Sequence, residues 1–172
     1  MRAERQQFLE LSSEVTGYPP IDLEGTGLVD DYLALLGQEL GAPVVTRLLA
    51  ASREVLAHRA GPPREEAMRL QILCSPILWP VVSGLIQLWY LGTWTSMSAQ
   101  WYSLAGTAVP SGVSPGRSRV PSAQAYVQQL AYRGAGAHPP GANPTGHGSW
   151  AIPPLFGDVS PAARIQRTGR NP

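Results

Sequence analysis

The chain has 172 residues, 44% hydrophobic and only 15% charged, with a net charge of +1. That length allows one domain with a real core, and nothing in the near-zero net charge suggests a nucleic-acid partner. A single cysteine, Cys74, excludes an internal disulfide framework and structural zinc sites built on four cysteines or on paired cysteines and histidines. Charged residues make up about a quarter of an average soluble domain. A chain this poor in charge is expected to hide part of its surface against a partner or lipid. All thirteen basic residues are arginine, which we attribute to codon composition rather than to phosphate recognition.

Residues 5–16 place Phe8, Leu9, Leu11, Ser12 and Val15 at helical spacing, and Gly17 followed by Pro19-Pro20 ends that helix. In "TGLVDDYLALLGQELG", Leu28, Tyr32, Leu35, Leu36, Glu39 and Leu40 follow a 3.6-residue period. Thr26 is the expected N-cap and Gly41 the expected stop. Pro43 suits a first helical turn and leads into a stripe of Val44, Leu48, Ala51, Val55 and Leu56. "REEAMRLQILC" opens a fourth helix with acids in its first turn, where the helix dipole favours them. Ser75-Pro76 interrupts, since proline restricts its predecessor and donates no N–H. The run 77–94 reads as a fifth helix.

No charged residue lies between Arg69 and Arg117, so residues 76–94 are also a transmembrane candidate by length. Pro80, Ser83, Gly84 and Gln87 weaken that alternative, and the neighbouring arginines give no clear positive-inside flank. A buried core helix is the preferred reading. Further on, "SAQAYVQQLAYR" reads as a short helix capped by Ser122, with Ala125, Tyr126, Leu130 and Tyr132 facing inward. The expected class is all-α: five to six helices in one domain with a long irregular Pro/Gly-rich C-terminal arm. Residues 1–102 form the helical core and 103–121 a flexible surface loop. Residues 122–154 form a short helix plus extended arm, and 155–172 a disordered tail.

Chemistry is scarce. His138 and His147 are nine residues apart with no thiol or carboxylate between them, too sparse for a metal site. Cys74, at the C-terminal end of an apolar helix, is expected to be a small buried residue rather than a reactive thiolate or a haem ligand. All acids but Asp158 precede residue 67, so no Ser–His–Asp set can be assigned. "GAGAHPPG" lacks the GK[ST] of a phosphate loop. The aromatics say more. Trp89, Tyr90 and Trp94 fall on two apolar faces of one expected helix, with Trp79, Trp101, Tyr102 and Trp150 elsewhere. Either they fill the core or they form an interface, because bulky rings suit both. In "AHPPGANPTGHGSW", residues 137–150, prolines preset the backbone and so lower the entropy cost of docking. The candidate partner-binding residues are therefore Trp89, Tyr90, Trp94, His138, Pro139, Pro140 and Trp150, with no catalytic, cofactor-binding or metal site.

Three stretches, "FLELSSEVTGY", "ILCSPILWPVVSGLIQLWYLGTW" and "AYVQQLAYRGAGAHPPGANPTGHGSWAIPP", resemble the small subunit of the membrane-bound FAD-dependent sorbitol dehydrogenase family. The resemblance covers roughly residues 8–154, and "LWYLGTW" with "GAHPPG…GSW" are its specific parts. It implies a non-catalytic accessory subunit that supports maturation, stability and export of a large FAD-containing GMC-type dehydrogenase subunit acting on a sugar or polyol. A cytochrome c subunit carrying haem c is the further partner it implies. It also implies a periplasmic complex, with the membrane reached only through that complex. Many such small subunits carry a twin-arginine signal. "MRAERQQFLE" has no Arg-Arg pair and no hydrophobic stretch after it. Either the partner carries the signal, or the start lies upstream, or the pair stays inside.

Overall fold

The computed structural model describes residues 2–135. Its fold is all-α, with one minor antiparallel pair of two-residue strands. Helix α1 (Arg2–Thr16) buries Phe8, Leu9, Leu11 and Ser12, as the sequence period requires. The short α2 (Pro20–Glu24) follows directly, with a proline in its first turn. The Pro19-Pro20 pair, read from sequence as a stop, thus also starts a new turn, where proline's missing N–H costs nothing.

Helix α3 (Val29–Leu40) begins later than expected, and Thr26 is not its cap. The Thr26 hydroxyl instead donates to the Leu23 carbonyl at 2.6 Å and accepts from the Leu28 N–H at 3.2 Å, so it staples the α2–α3 turn. Gly41 ends α3 at φ 78°, and α4 (Ala42–Ala57) starts in the next residue with Pro43 in its first turn. A positive φ is strained for residues with a Cβ, so one glycine lets two helices meet without a linker.

Helix α5 (Pro62–Met68) runs into a π-turn, Arg69–Leu73, in which the Cys74 N–H reaches back five residues to the Arg69 carbonyl at 2.9 Å. The wider turn inserts a residue into the helical register. Ile72 is buried as a result, while Leu70 and Leu73 face out. Cys74 is exposed as well, which corrects the expectation of a buried thiol. The chain then bends by 107° into α6 (Leu78–Leu91). The Ser75 hydroxyl accepts from the Leu78 N–H at 3.1 Å and closes the first turn of α6.

Helix α6 is the central helix, with buried residues spread round its circumference: Leu78, Val81, Val82, Leu85, Leu88 and Trp89. It ends at Leu91, short of the end expected from the apolar run, because Gly92 adopts the left-handed conformation at φ 60°. The chain reverses there, and a side chain at position 92 would run into the Ala125 carbonyl. Trp94 therefore belongs to strand β1 (Trp94–Thr95), not to a helix face.

Helix α7 (Ala99–Ala105) comes next, capped by the Ser98 hydroxyl accepting from the Trp101 N–H. It includes residues 103–105, the start of the expected surface loop. Strand β2 (Ser118–Arg119) pairs with β1, Trp94 opposite Arg119 and Thr95 opposite Ser118. The far end of that loop is thereby tied to the body. Ser122 caps α8 (Ala123–Val127) by accepting from the Ala125 N–H, as the sequence predicts. A break at Gln128-Gln129 separates it from α9 (Leu130–Gly134). Ala125 and Leu130 are buried, but Tyr126 points outward, against the sequence reading.

Candidate partner-binding surface

The aromatic candidates on and after α6 are placed by the reversal at Gly92. Trp89 is 1% exposed and packs edge-on against Tyr32, with ring centroids 4.7 Å apart. Trp94 is fully buried. Folding back from β1, its ring lies over Gly84, where a Cβ would come within 3.0 Å of it. Both indoles are thus core, which settles the sequence alternative for them, and neither ring reaches the surface of the chain. Among the described residues their Nε1–H groups have no hydrogen-bond partner. Trp101 is also inside and donates from Nε1 to the Ile77 carbonyl at 3.1 Å. Tyr90 is half-buried. His138, Pro139, Pro140, His147 and Trp150 lie outside the described residues.

Tyr90 marks a junction. Its hydroxyl donates to the Thr16 carbonyl at 2.8 Å, and its ring meets Tyr18 edge-on at 6.1 Å. The Tyr18 hydroxyl donates to the Leu130 carbonyl at 3.3 Å. Burial first, then the neighbouring Tyr90, raises the Tyr18 pKa, so the phenol stays a donor. Thr16-Tyr18, Tyr90 and Leu130 come from the three separate stretches that carry the family resemblance, and this junction holds those stretches together.

The exposed apolar surface lies at the other end of α6. Trp79 is 43% exposed, Leu73 42% and Leu70 56%, all around the α5–α6 elbow. Beside them is a shallow groove of about 210 Å³, lined by Val15, Met68, Leu73, Trp79, Val82 and Ile86. Two carboxylates, Glu14 and Glu65, complete its lining. Arg64 donates to Glu14 at 3.0 Å and also to the Leu56 and His58 carbonyls, clamping α1 to the α4–α5 connection. Nearby, Arg69 grips Glu66 through two hydrogen bonds of 2.8 and 2.7 Å, which lowers the Glu66 pKa and raises that of Arg69. Cys74 adds a smaller upward push to Arg69. Sequence reasoning passed over Trp79. The signal was present in the Ser75-Pro76 break, which turns the chain just before this residue.

A buried carboxylate is the second feature the sequence reading missed. Glu39, only 2% exposed, accepts from the Ser96 hydroxyl at 2.7 Å and from Arg119 at 2.8 and 3.3 Å. The Tyr102 hydroxyl donates to the Glu39 carbonyl at 2.6 Å. Burial, then the Glu39 charge, pushes the Tyr102 pKa up to about 12. The cluster joins Glu39 to a hydroxyl, a guanidinium and a phenol as its hydrogen-bond partners. It fastens β2 and the α7 region to the end of α3.

Among the described residues, no group of three His, Cys, Asp or Glu side chains is placed to hold a metal ion. No single helix there is long and apolar enough to cross a membrane, although the bent pair Pro62–Leu73 and Leu78–Leu91 passes by length and composition. Helix α6 alone has 14 residues. At about 1.5 Å per residue it falls well short of a hydrocarbon core of about 30 Å. The chain matches no family model, no curated protein and no solved structure.

Proposed function

We propose that this chain is the non-catalytic small subunit of an FAD-dependent sugar or polyol dehydrogenase complex. In this reading it binds the large GMC-type flavoprotein subunit and supports its maturation and export. Flavin stays in that partner and haem c in a cytochrome subunit. The complex works at the periplasmic face of the membrane and touches the membrane through its other subunits.

The resemblance carries the reading, and one observation supports treating it as a unit. Its three stretches meet through the Tyr90–Thr16 and Tyr18–Leu130 hydrogen bonds, across 74 and 112 residues of sequence. The middle stretch also supplies Leu73 and Trp79, two of the exposed apolar side chains at the elbow. A large, flat, amphipathic ring set among aliphatic groups is the kind of anchor on which interfaces concentrate binding energy. The flavoprotein is therefore assigned to the elbow rather than to the buried face of Trp89 and Trp94.

Co-expression tests this. An FAD-dependent dehydrogenase large subunit from the same genome is produced with and without this chain, then assayed for yield, bound flavin and co-purification. The reading expects a stable complex and a flavoprotein that loses yield and flavin when made alone. Full yield and flavin without this chain, together with a chain that purifies as a well-behaved monomer, would overturn it.

A further inference from the structure

Glu14 and Glu65 both line the groove beside Trp79, but only Glu14 has a cation against it. Arg64 holds Glu14 at 3.0 Å. The next arginine along the chain, Arg69, is committed to Glu66 at 2.7 Å. Glu65 is exposed and has no ion-pair partner among the described residues. The other six lining residues are apolar. The groove thus combines an apolar floor with one negative charge that the described part of the chain does not neutralise.

Size and sign narrow the choice of occupant. At about 210 Å³ the groove is smaller than the roughly 300–1,000 Å³ of small-molecule sites, and it suits side chains better than a free ligand. Anionic lipid recruits unpaired Lys and Arg. Here both arginines are spent on carboxylates and the uncompensated group is an acid, which such a surface repels. A protein segment that pairs an apolar side chain with a cation satisfies both parts of the groove.

We propose that the flavoprotein enters this groove with an amphipathic segment, setting a large apolar side chain against Trp79 and Leu73 and an arginine or lysine against Glu65. The contact rests on the flavoprotein reading and specifies the partner's chemistry within it. The apolar lining supplies most of the affinity. Glu65 supplies selection, because a segment with an acid at the matching position would bring like charges together.

The test titrates the full-length chain with the large subunit used for co-expression. Glu65→Gln should raise Kd about threefold, the modest effect of an exposed pair, and Glu65→Arg about tenfold or more. Between about 50 and 300 mM salt the wild-type Kd should rise more steeply than that of Glu65→Gln. Because position 65 is exposed, the urea midpoint of either variant should shift little. Cys74 is the only cysteine, is exposed, and directly follows the groove residue Leu73, so a benzophenone attached there reports the occupant. The cross-linked peptide should belong to the flavoprotein and hold an arginine or lysine near a large apolar residue. Changing that basic residue to Glu should restore the binding of Glu65→Arg. A flavoprotein that binds both Glu65 variants as tightly as the wild type would overturn the groove chemistry and leave the subunit reading standing. Absence of any complex with the wild-type chain would remove both. A cross-link to a second copy of this chain would also overturn the proposal. So would binding to vesicles of one part phosphatidylglycerol to three parts phosphatidylcholine that Glu65→Arg strengthens, since the occupant would then be lipid.

Discussion

The two ends of α6 carry similar residues and meet opposite fates. At its C-terminal end, Trp89, Tyr90 and the following Trp94 are enclosed by Tyr32, Tyr18 and the helix's own Gly84. At its N-terminal end, Trp79 stands in solvent beside Leu73 and Leu70. Hydrophobicity is no guide to the difference. Chain direction is. The reversal at Gly92 folds a strand, α8 and α9 over the C-terminal end, whereas the elbow at Ser75-Pro76 leads away from the N-terminal end. Aromatic density in a sequence therefore marks where apolar surface must be covered, and the turn beside it decides whether the chain covers it itself.

The sharpest way to break this comparison is to truncate one ring at each end. Trp94→Ala should lower unfolding free energy by about 3–5 kcal/mol, read from urea denaturation, because a fully buried indole leaves a cavity over Gly84. Trp94→Phe should cost clearly less, since it refills much of the space and removes an N–H that had no partner. If Trp94→Ala leaves the midpoint unchanged, the burial contrast between the two ends is wrong.

The next test concerns the fastening that keeps the C-terminal end covered. Arg119→Met leaves the Glu39 carboxylate buried with only the Ser96 hydroxyl to satisfy it. An unmatched buried acceptor costs about 1–3 kcal/mol. The lower part of that range is expected here, because the Arg119 side chain is 48% exposed and its pair with Glu39 is partly screened. Hydrogen exchange at Gly116–Arg119 should accelerate more than in α1. Equal protection in both would mean that β2 is held by other contacts.

Much of this architecture was legible in the sequence. The stripes of α1, α3 and α4, the stop at Gly41 and the Ser122 cap follow from local rules of period and capping. What was missed depends on events without a local signature. A π-turn shifts the register by one residue and brings Cys74 out. A left-handed glycine turns an apparent helix face into a strand. Glu39 stood on the inward stripe of α3 from the start, but its partner Arg119 lies 80 residues away, and no spacing rule links them. The candidate surface was legible only as a surplus of aromatics, and spacing alone did not say that Trp89 and Trp94 would be buried while Trp79 stayed exposed.

A smaller effect should appear at alkaline pH. The Tyr102 pKa is raised from 10.0 to about 12 in the folded chain, by burial first and by Glu39 second. Tyr32 is raised too, by burial and then by Asp31. A raised folded pKa means that the stability is fully present below pH 10 and is lost as pH climbs through 12. Unfolding free energy should therefore decline over that window. Tyr102→Phe should cost about 1 kcal/mol at neutral pH through the lost hydrogen bond, and should flatten the decline. A decline of unchanged steepness in Tyr102→Phe would assign the effect to Tyr32 and Tyr18 instead.

The smallest expected change in stability is also the most informative about function. Trp79→Ser removes a half-exposed ring, so unfolding free energy should fall by no more than about 0.5–1 kcal/mol. If the elbow is where the flavoprotein docks, the same substitution should weaken that complex by about 2 kcal/mol or more, the usual cost of losing an anchoring aromatic. That is roughly a thirtyfold rise in Kd, measurable by titrating the purified flavoprotein. Stability and binding are thus expected to separate: Trp94 should matter mainly for folding and Trp79 mainly for association. A Trp79→Ser chain that binds as tightly as the parent would move the interface away from the elbow. The natural place to look next would then be Tyr126, an exposed aromatic of the stretch that begins at α8.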